Sequence, residues 1–320
     1  MIKKLLIVAV ILFLKTPAIC DSILIKQSPS KYRITTKLTV NASDINIAKA
    51  IAVIPLPTTN VYQSVSDIQP GIGKIKDVPA SNDKYVVYTI NKGNSLEEFV
   101  CNYTVTIYDI KTDLNKISNI MEYDKQSADF IWNTGSNGEL IDINNPVIIA
   151  AAKDLWEKNP SLLGYARACY EYASKFKYLD PNTGIHPLKK ILKDGGGDCG
   201  NLSSIFVSLM RAKGIPARHL VSIRPDGSWH IWADFYMQGY GWIPVDPTYK
   251  HNNPKGDYFG KVSIKTNGII LSTKLNIPLD VGGSQTKIID LLQTYFYLYW
   301  GTGKGNISAD FSFTGKQIKD

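Results

Sequence analysis

Cys199 stands in the stretch GGGDCGNLSS, behind three glycines and an aspartate. A cysteine thiolate attacks carbonyl carbon, and it forms best where unpaired N–H groups or positive charge surround the sulfur. Its proton needs a base, and that base usually needs an orienting carboxylate or amide. The chain has four histidines. His186 lies in a Pro-containing loop, His219 follows Ala217-Arg218, and His251 lies in the polar HNNPKG loop. His230 differs, because it opens HIWADFY, an alternating run, and Asp246 follows in WIPVDPT. Singly, each has a plainer reading: a strand histidine is usually a hydrogen-bonded structural residue, and an aspartate before proline usually forms a turn. Together, Cys199, His230 and Asp246 form an ordered set: a cysteine at a helix start, a histidine at a strand start and an aspartate sixteen residues on at the next strand's end.

The elements around them must make that geometry. Leu202, Ile205, Phe206, Leu209 and Met210 recur at helical spacing behind Cys199, and Gly214 with Pro216 supplies a stop. Cys199 then opens a helix, where free N–H groups and the positive dipole end favour an anion and can hold a tetrahedral oxyanion. Gly195 to Gly197 allow a tight turn and leave room for a substrate beside the sulfur. HIWADFY and WIPVDPT read as a hairpin. A three-residue loop, Gln238 to Tyr240, pairs Met237 with Gly241 and puts His230 diagonal to Asp246 on one face. A two- or four-residue loop sends the two side chains to opposite faces, so the pair requires an odd loop or a bulge.

The N-terminus, MIKKLLIVAVILFLKTPAIC, has the plan of a secretory signal peptide over residues 1–20, its apolar run too short to span a bilayer. Cleavage after Cys20 is the preferred reading and a lipid-modified Cys20 the rival; either implies an extracytoplasmic protein with no integral membrane span. Removing Lys3, Lys4 and Lys15 lowers 36 basic residues to 33 against 28 acids, so the net charge falls from +8 to +5. That excess, with no basic cluster interleaved with aromatics, gives nucleic-acid binding little support. Of the four cysteines three remain once Cys20 is removed, so at most one bridge can form and a disulfide scaffold is excluded. Cys101 and Cys169 both fall in apolar stripes and read as core thiols, and whether they pair stays open. With neither HExxH nor paired CxxC, no metal and no cofactor is expected. Sequons occur at Asn41, Asn102, Asn201 and Asn306, but a glycan on Asn201 would block the presumed catalytic turn, so they carry no weight.

The apolar and charged fractions, 44% and 20%, are those of a globular protein, and 320 residues allow two domains. Alternating runs at Tyr32 to Val40, Ile51 to Ile54, Tyr85 to Ile90 and Phe99 to Ile110 predict an antiparallel β-sandwich over residues 21–118. After Asn119 the pattern becomes helical, with VIIAAAKDLWEKN and then Ser161 to about Phe176. Residues 119–320 are expected to form an α+β catalytic domain, closed by C-terminal strands such as TYFYLYW, with a turn in the glycines of GTGKGN.

GDCGNLSSIFVSLMRAKGIPAR, followed by SWHIWADFYMQGYGWIPVDPT, resembles the core of the transglutaminase-like superfamily, over about a fifth of the chain. The N-terminal strands, IPLPTTNVYQSV among them, resemble the β-sandwich that precedes this domain in some bacterial members. The resemblance implies a papain-like fold of helices packed on an antiparallel sheet, with Cys199 as nucleophile, His230 as base and acid, and Asp246 as orienter. It implies a cysteine protease, amidase or protein-glutamine acyltransferase acting on a protein, peptide or glycopeptide. Asn201 and Leu202 depart from the acidic residue and histidine of many relatives, and the upstream oxyanion donor has only Tyr178 as a faint counterpart. The alternatives are a non-catalytic module that binds peptide or glycan in the same groove, and a surface-anchored structural protein.

Overall fold

The computed structural model describes residues 23–92, 96–118, 120–179, 184–281 and 285–319, so the leader-like segment 1–20 lies outside the described residues. Five strands come first: β1 (Leu24–Leu56), β2 (Gln63–Gln69), β3 (Lys74–Asp77), β4 (Lys84–Ile90) and β5 (Leu96–Thr112). The two early runs expected as separate strands are one strand of 33 residues. Its first part pairs with β5 and its last part with β4. The polar stretch between them, where a break is expected, instead carries bulges at Ser43/Ile45 and Ile47/Lys49, with Asp44 at φ 57°. All five strands belong to one hydrogen-bonded antiparallel sheet, and bulges let a long strand bend within it. Ile34, Leu38, Phe99, Cys101 and Tyr103 share one core with Ile54, Val86 and Tyr88.

The middle of the chain holds the helices α1 (Ala128–Asn133), α2 (Pro146–Lys158), α3 (Leu162–Ala173), α4 (Leu188–Asp194), α5 (Cys199–Ala212), α6 (Pro247–Asn252) and α7 (Ile264–Asn267). The strands among them are β6 (Lys177–Tyr178), β7 (Gly196–Gly197), β8 (Ala217–Ile223), β9 (Trp229–Met237), β10 (Gly241–Val245), β11 (Lys261–Val262), β12 (Ile269–Ser272), β13 (Ile277–Asp280) and β14 (Thr286–Ile289). An antiparallel sheet in the order β10-β9-β8-β12 supports α5. Asn145 and Ser161 cap α2 and α3 by accepting from Val147 N and Gly164 N, which ends the two helices close to their expected limits. α5 is buried along its whole length from Gly200 to Arg211, so the apolar stripe is one side of a central helix. Burial of Leu202, Ile205, Phe206, Leu209 and Met210 contributes about 1.5–3 kcal/mol for each side chain.

β15 (Phe296–Ile318) closes the chain. Grouped by order with residues 119–320, it is hydrogen-bonded instead to β1, from Lys31↔Ile318 to Val53↔Phe296. The turn expected in GTGKGN is absent, because the strand runs straight through it. A Cβ on Gly305 would lie 1.5 Å from Ser43 O, and one on Gly301 2.5 Å from Asn46 O. These glycines let two backbones cross closely at the bend of β1. β11 pairs with β5, and Trp232, Leu220 and Ile270 share a core with Tyr62 and Ile110. The four-stranded sheet is thereby packed against the N-terminal strands. The architecture is α+β with antiparallel sheets throughout, apart from the short parallel pair β6–β7.

Candidate active site

Cys199 is the first residue of α5, partly exposed and free. Asp198 caps the helix: its Oδ1 accepts from Asn201 N at 3.1 Å and from Asn201 Nδ2 at 2.9 Å. Burial pushes the Asp198 carboxyl up, opposed by the N–H groups of Asn201 and Gly200. Asn201 is fully buried and also holds the preceding loop, accepting from His186 N at 2.8 Å and donating to Gly184 O at 3.2 Å. The departure at this position therefore has a structural task.

Two of the three glycines are needed for close packing and the third for a turn. Gly195, at φ 71°, ends α4 in the left-handed conformation. A Cβ on Gly196 would sit 2.1 Å from Lys177 O, and one on Gly197 2.4 Å from the Asn201 side chain. Gly196 and Gly197 are packed by the chain itself, because β7 lies against β6 with Leu179 N donating to Gly197 O at 2.9 Å. This close pairing brings Tyr178 beside the helix start. Burial, then Cys199 and Asp198, push the Tyr178 hydroxyl up to about 12, so it stays a hydrogen-bond donor at neutral pH.

His230 is the second residue of β9, and the hairpin to β10 has the three-residue loop, with Met237 paired to Gly241. That register places Asp246 just past β10 on the face of Trp232 and His230. His230 Nε2 lies 2.7 Å from Asp246 Oδ2, and the other side of the ring is within hydrogen-bond reach of Cys199. Burial opposes charge on His230, but the Asp246 carboxylate and the hydrogen bonds to Asp246 and Cys199 outweigh it and raise the imidazole to about 9. At neutral pH both ring nitrogens therefore donate.

Asp246 is held by more than the histidine. As cap of α6 its Oδ1 accepts from Tyr249 N at 3.0 Å, and its Oδ2 also accepts from Asn267 Nδ2 at 3.1 Å. The order Asp-Pro followed by a helix is a start signal, so the Tyr249 contact is implicit in DPTYK. Asn267 is a residue that sequence reasoning misses. It reads as a turn before Gly268, and nothing local links it to Asp246. Its own amide oxygen accepts from Ser263 N at 3.1 Å and its backbone carbonyl from Trp232 Nε1 at 3.2 Å, which fixes its direction. The Tyr249 ring packs edge-on to His230 at 5.3 Å, and Arg224 Nη2 donates to the Tyr249 hydroxyl at 3.0 Å.

The remaining candidates lie elsewhere. His219 is buried behind α5 with Nε2 3.1 Å from Ser204 Oγ; burial and then Arg211 push it down to about 3. His251 faces Ser174 O at 3.0 Å. Cys101 and Cys169 are free and belong to different cores, so they do not pair.

Residues 149–247 match the family model of the transglutaminase-like superfamily, a span that includes Cys199, His230 and Asp246. A structure from Cytophaga hutchinsonii, of a candidate cysteine protease, aligns with a TM-score of 0.59 at 11% identity, covering 93% of this chain and 94% of that one. The likeness extends over both sheets and the helices, and at that identity it speaks for the fold alone. The periplasmic domain of TgpA from Pseudomonas aeruginosa aligns at a TM-score of 0.39 and 15% identity, over 71% of this chain and 91% of that one. An uncharacterized protein of Haemophilus influenzae is 35% identical over 86 residues, covering 18% of this chain and 23% of the relative. The chain thus spans about a quarter of the length of that curated relative. Residues 149–247 resemble the transglutaminase-like superfamily, within an α+β fold that has an N-terminal sheet-rich region.

Proposed function

We propose that the protein is an extracytoplasmic cysteine-dependent enzyme that cleaves or transfers amide bonds of a protein, peptide or glycopeptide. The observation that carries this reading is the buried His230–Asp246 pair, at 2.7 Å, within hydrogen-bond reach of a cysteine at a helix start. In the proposed cycle the Cys199 proton already rests on His230, and the sulfur attacks the amide carbonyl. The carbonyl oxygen becomes an oxyanion, held by the Cys199 N–H, which precedes the first intrahelical bond, and by the Tyr178 hydroxyl. His230 then gives its proton to the leaving nitrogen, the C–N bond breaks, and a thioester on Cys199 remains. Water, deprotonated by His230, attacks that thioester to release a carboxylic acid and restore the thiol. An amine in place of water gives a new amide. Asp246 keeps the imidazole oriented and balances its charge in both half-reactions.

The leader-like residues 1–20 support placement outside the cytoplasm, and among the described residues no helix is long and apolar enough to cross a membrane. The test is a panel of peptides, glutamine donors and glycopeptides, followed by intact mass. A substrate should leave an acyl increment on Cys199 in the wild type, and none in Cys199→Ala. Turnover of the same substrate by Cys199→Ala at the wild-type rate would remove the proposal.

A further inference from the structure

Away from Cys199, a cavity of about 300 Å3 opens between the helices and the N-terminal strands. It lies where β12 stops at Ser272, opposite Val221, while β8 continues back to Ala217 and leaves the sheet edge uncovered. Its walls include the turn between β3 and β4, helix α1 with Asp129, and the basic residues Arg211, Arg218, His219 and Lys274. Ligand cavities favour such junctions between packed units, and this volume is at their lower limit.

The basic residues are not equally satisfied. Arg218 is gripped by Asp234, with Nε and Nη2 donating to its two oxygens at 3.0 and 3.1 Å. Arg211, only 8% exposed, donates from Nε to Ala217 O at 2.7 Å and from Nη1 to Gly135 O at 2.9 Å. Both acceptors are neutral carbonyls. A guanidinium has five N–H groups, so three, both on Nη2 and one on Nη1, are left over. Among the described residues no carboxylate forms an ion pair with Arg211, and burial pushes it down to about 10. Lys274 donates to Ala80 O at 3.2 Å, and it is pressed down by burial and by Arg211, with Asp83 acting against them. His219 is held neutral by burial and Arg211. Asp129, the acid in the lining, forms no ion pair with any of these groups among the described residues. A buried cation without a counter-anion is costly, and an anion entering the space offsets that cost.

We propose that this cavity binds a small compound carrying a carboxylate or phosphate group, held by the remaining N–H groups of Arg211 and by Lys274. The planar fork of a guanidinium matches either group with two parallel hydrogen bonds. Arg211 lies in the last turn of α5, whose first residue is Cys199. At 1.5 Å per residue the two are about 18 Å apart along the axis, so a small ligand held at Arg211 does not reach the sulfur.

The test is titration calorimetry of the full chain with inorganic phosphate and, separately, succinate, at constant ionic strength in chloride. Saturable binding of one equivalent, with Kd below about 1 mM for at least one probe, is expected, and the tighter probe identifies the ligand group. Lys274→Gln, at a half-buried position, should weaken binding about fivefold, and Arg211→Gln at least tenfold. Prior alkylation of Cys199 should leave binding unchanged. No saturable binding of either probe over chloride, or binding that survives Lys274→Gln undiminished, overturns the proposal.

Discussion

Replacing Asp246 by asparagine should invert the contribution of His230 to the pH dependence of stability. Both residues are almost fully buried. In the folded protein His230 is raised from 6.5 to about 9. At 1.36 kcal/mol per unit, that difference is worth about 3 kcal/mol of stability. The sign follows from proton uptake: between pH 6.5 and about 9 the folded state holds a proton that the unfolded state has released. The stabilisation is therefore complete below 6.5 and is lost as pH rises through 9. Asparagine keeps an acceptor for His230 and a cap for Tyr249 N but removes the negative charge. Burial then dominates, His230 folds neutral, and its contribution instead declines as pH falls below 6.5. Urea denaturation of wild type and Asp246→Asn from pH 5.5 to 9.5 reads this directly. The stability gap between them should shrink by about 4–5 kcal/mol across that range, about 3 from the wild type and about 1.4 from the variant at one unit below 6.5. A gap that does not change with pH would refute the charged pairing of His230 and Asp246.

Three further outcomes follow from the site and its supports. Tyr178→Phe should lower kcat about 100-fold with little change in KM, as loss of an oxyanion donor does, while leaving alkylation of Cys199 unaffected. Gly196→Ala forces a Cβ to 2.1 Å from Lys177 O and should cost about 3 kcal/mol in urea denaturation, with the β6–β7 pairing displaced. Arg218→Met strands the buried Asp234 carboxylate, which Tyr62 also contacts at 3.1 Å from the N-terminal strands. It should cost about 3–5 kcal/mol at pH 8 and less at pH 5, because Asp234, already raised to about 6, then folds protonated.

The hairpin and the helix start were legible because each has a local signal. Period-two alternation with a glycine-bearing loop sets the parity of His230 and Asp246, and an apolar stripe behind an aspartate sets the start of α5. The long strands were not legible in the same way. The polar stretch Asn41–Asn46 has the composition of a turn, yet its backbone groups are paired by β15 from the far end of the chain. The same non-local pairing turns GTGKGN from an apparent turn into strand. Asn267 and the cavity at Arg211 depend on contacts across the fold. Asn267 approaches Asp246 from a separate loop, and Arg211 reads in sequence as an ordinary basic residue near a helix end. Gly195 is legible as a helix-ending turn, whereas Gly196 and Gly197 are required by close packing on Lys177 and Asn201, which no local signal shows.

The most direct measurement is the rate at which iodoacetamide alkylates Cys199 at pH 6, located by peptide mass, in wild type and in His230→Ala. If His230 activates the sulfur, wild-type Cys199 reacts at least tenfold faster than in the variant, and the buried Cys101 and Cys169 stay unmodified in both. Equal rates for Cys199 in the two proteins would contradict the assignment of His230 as its base.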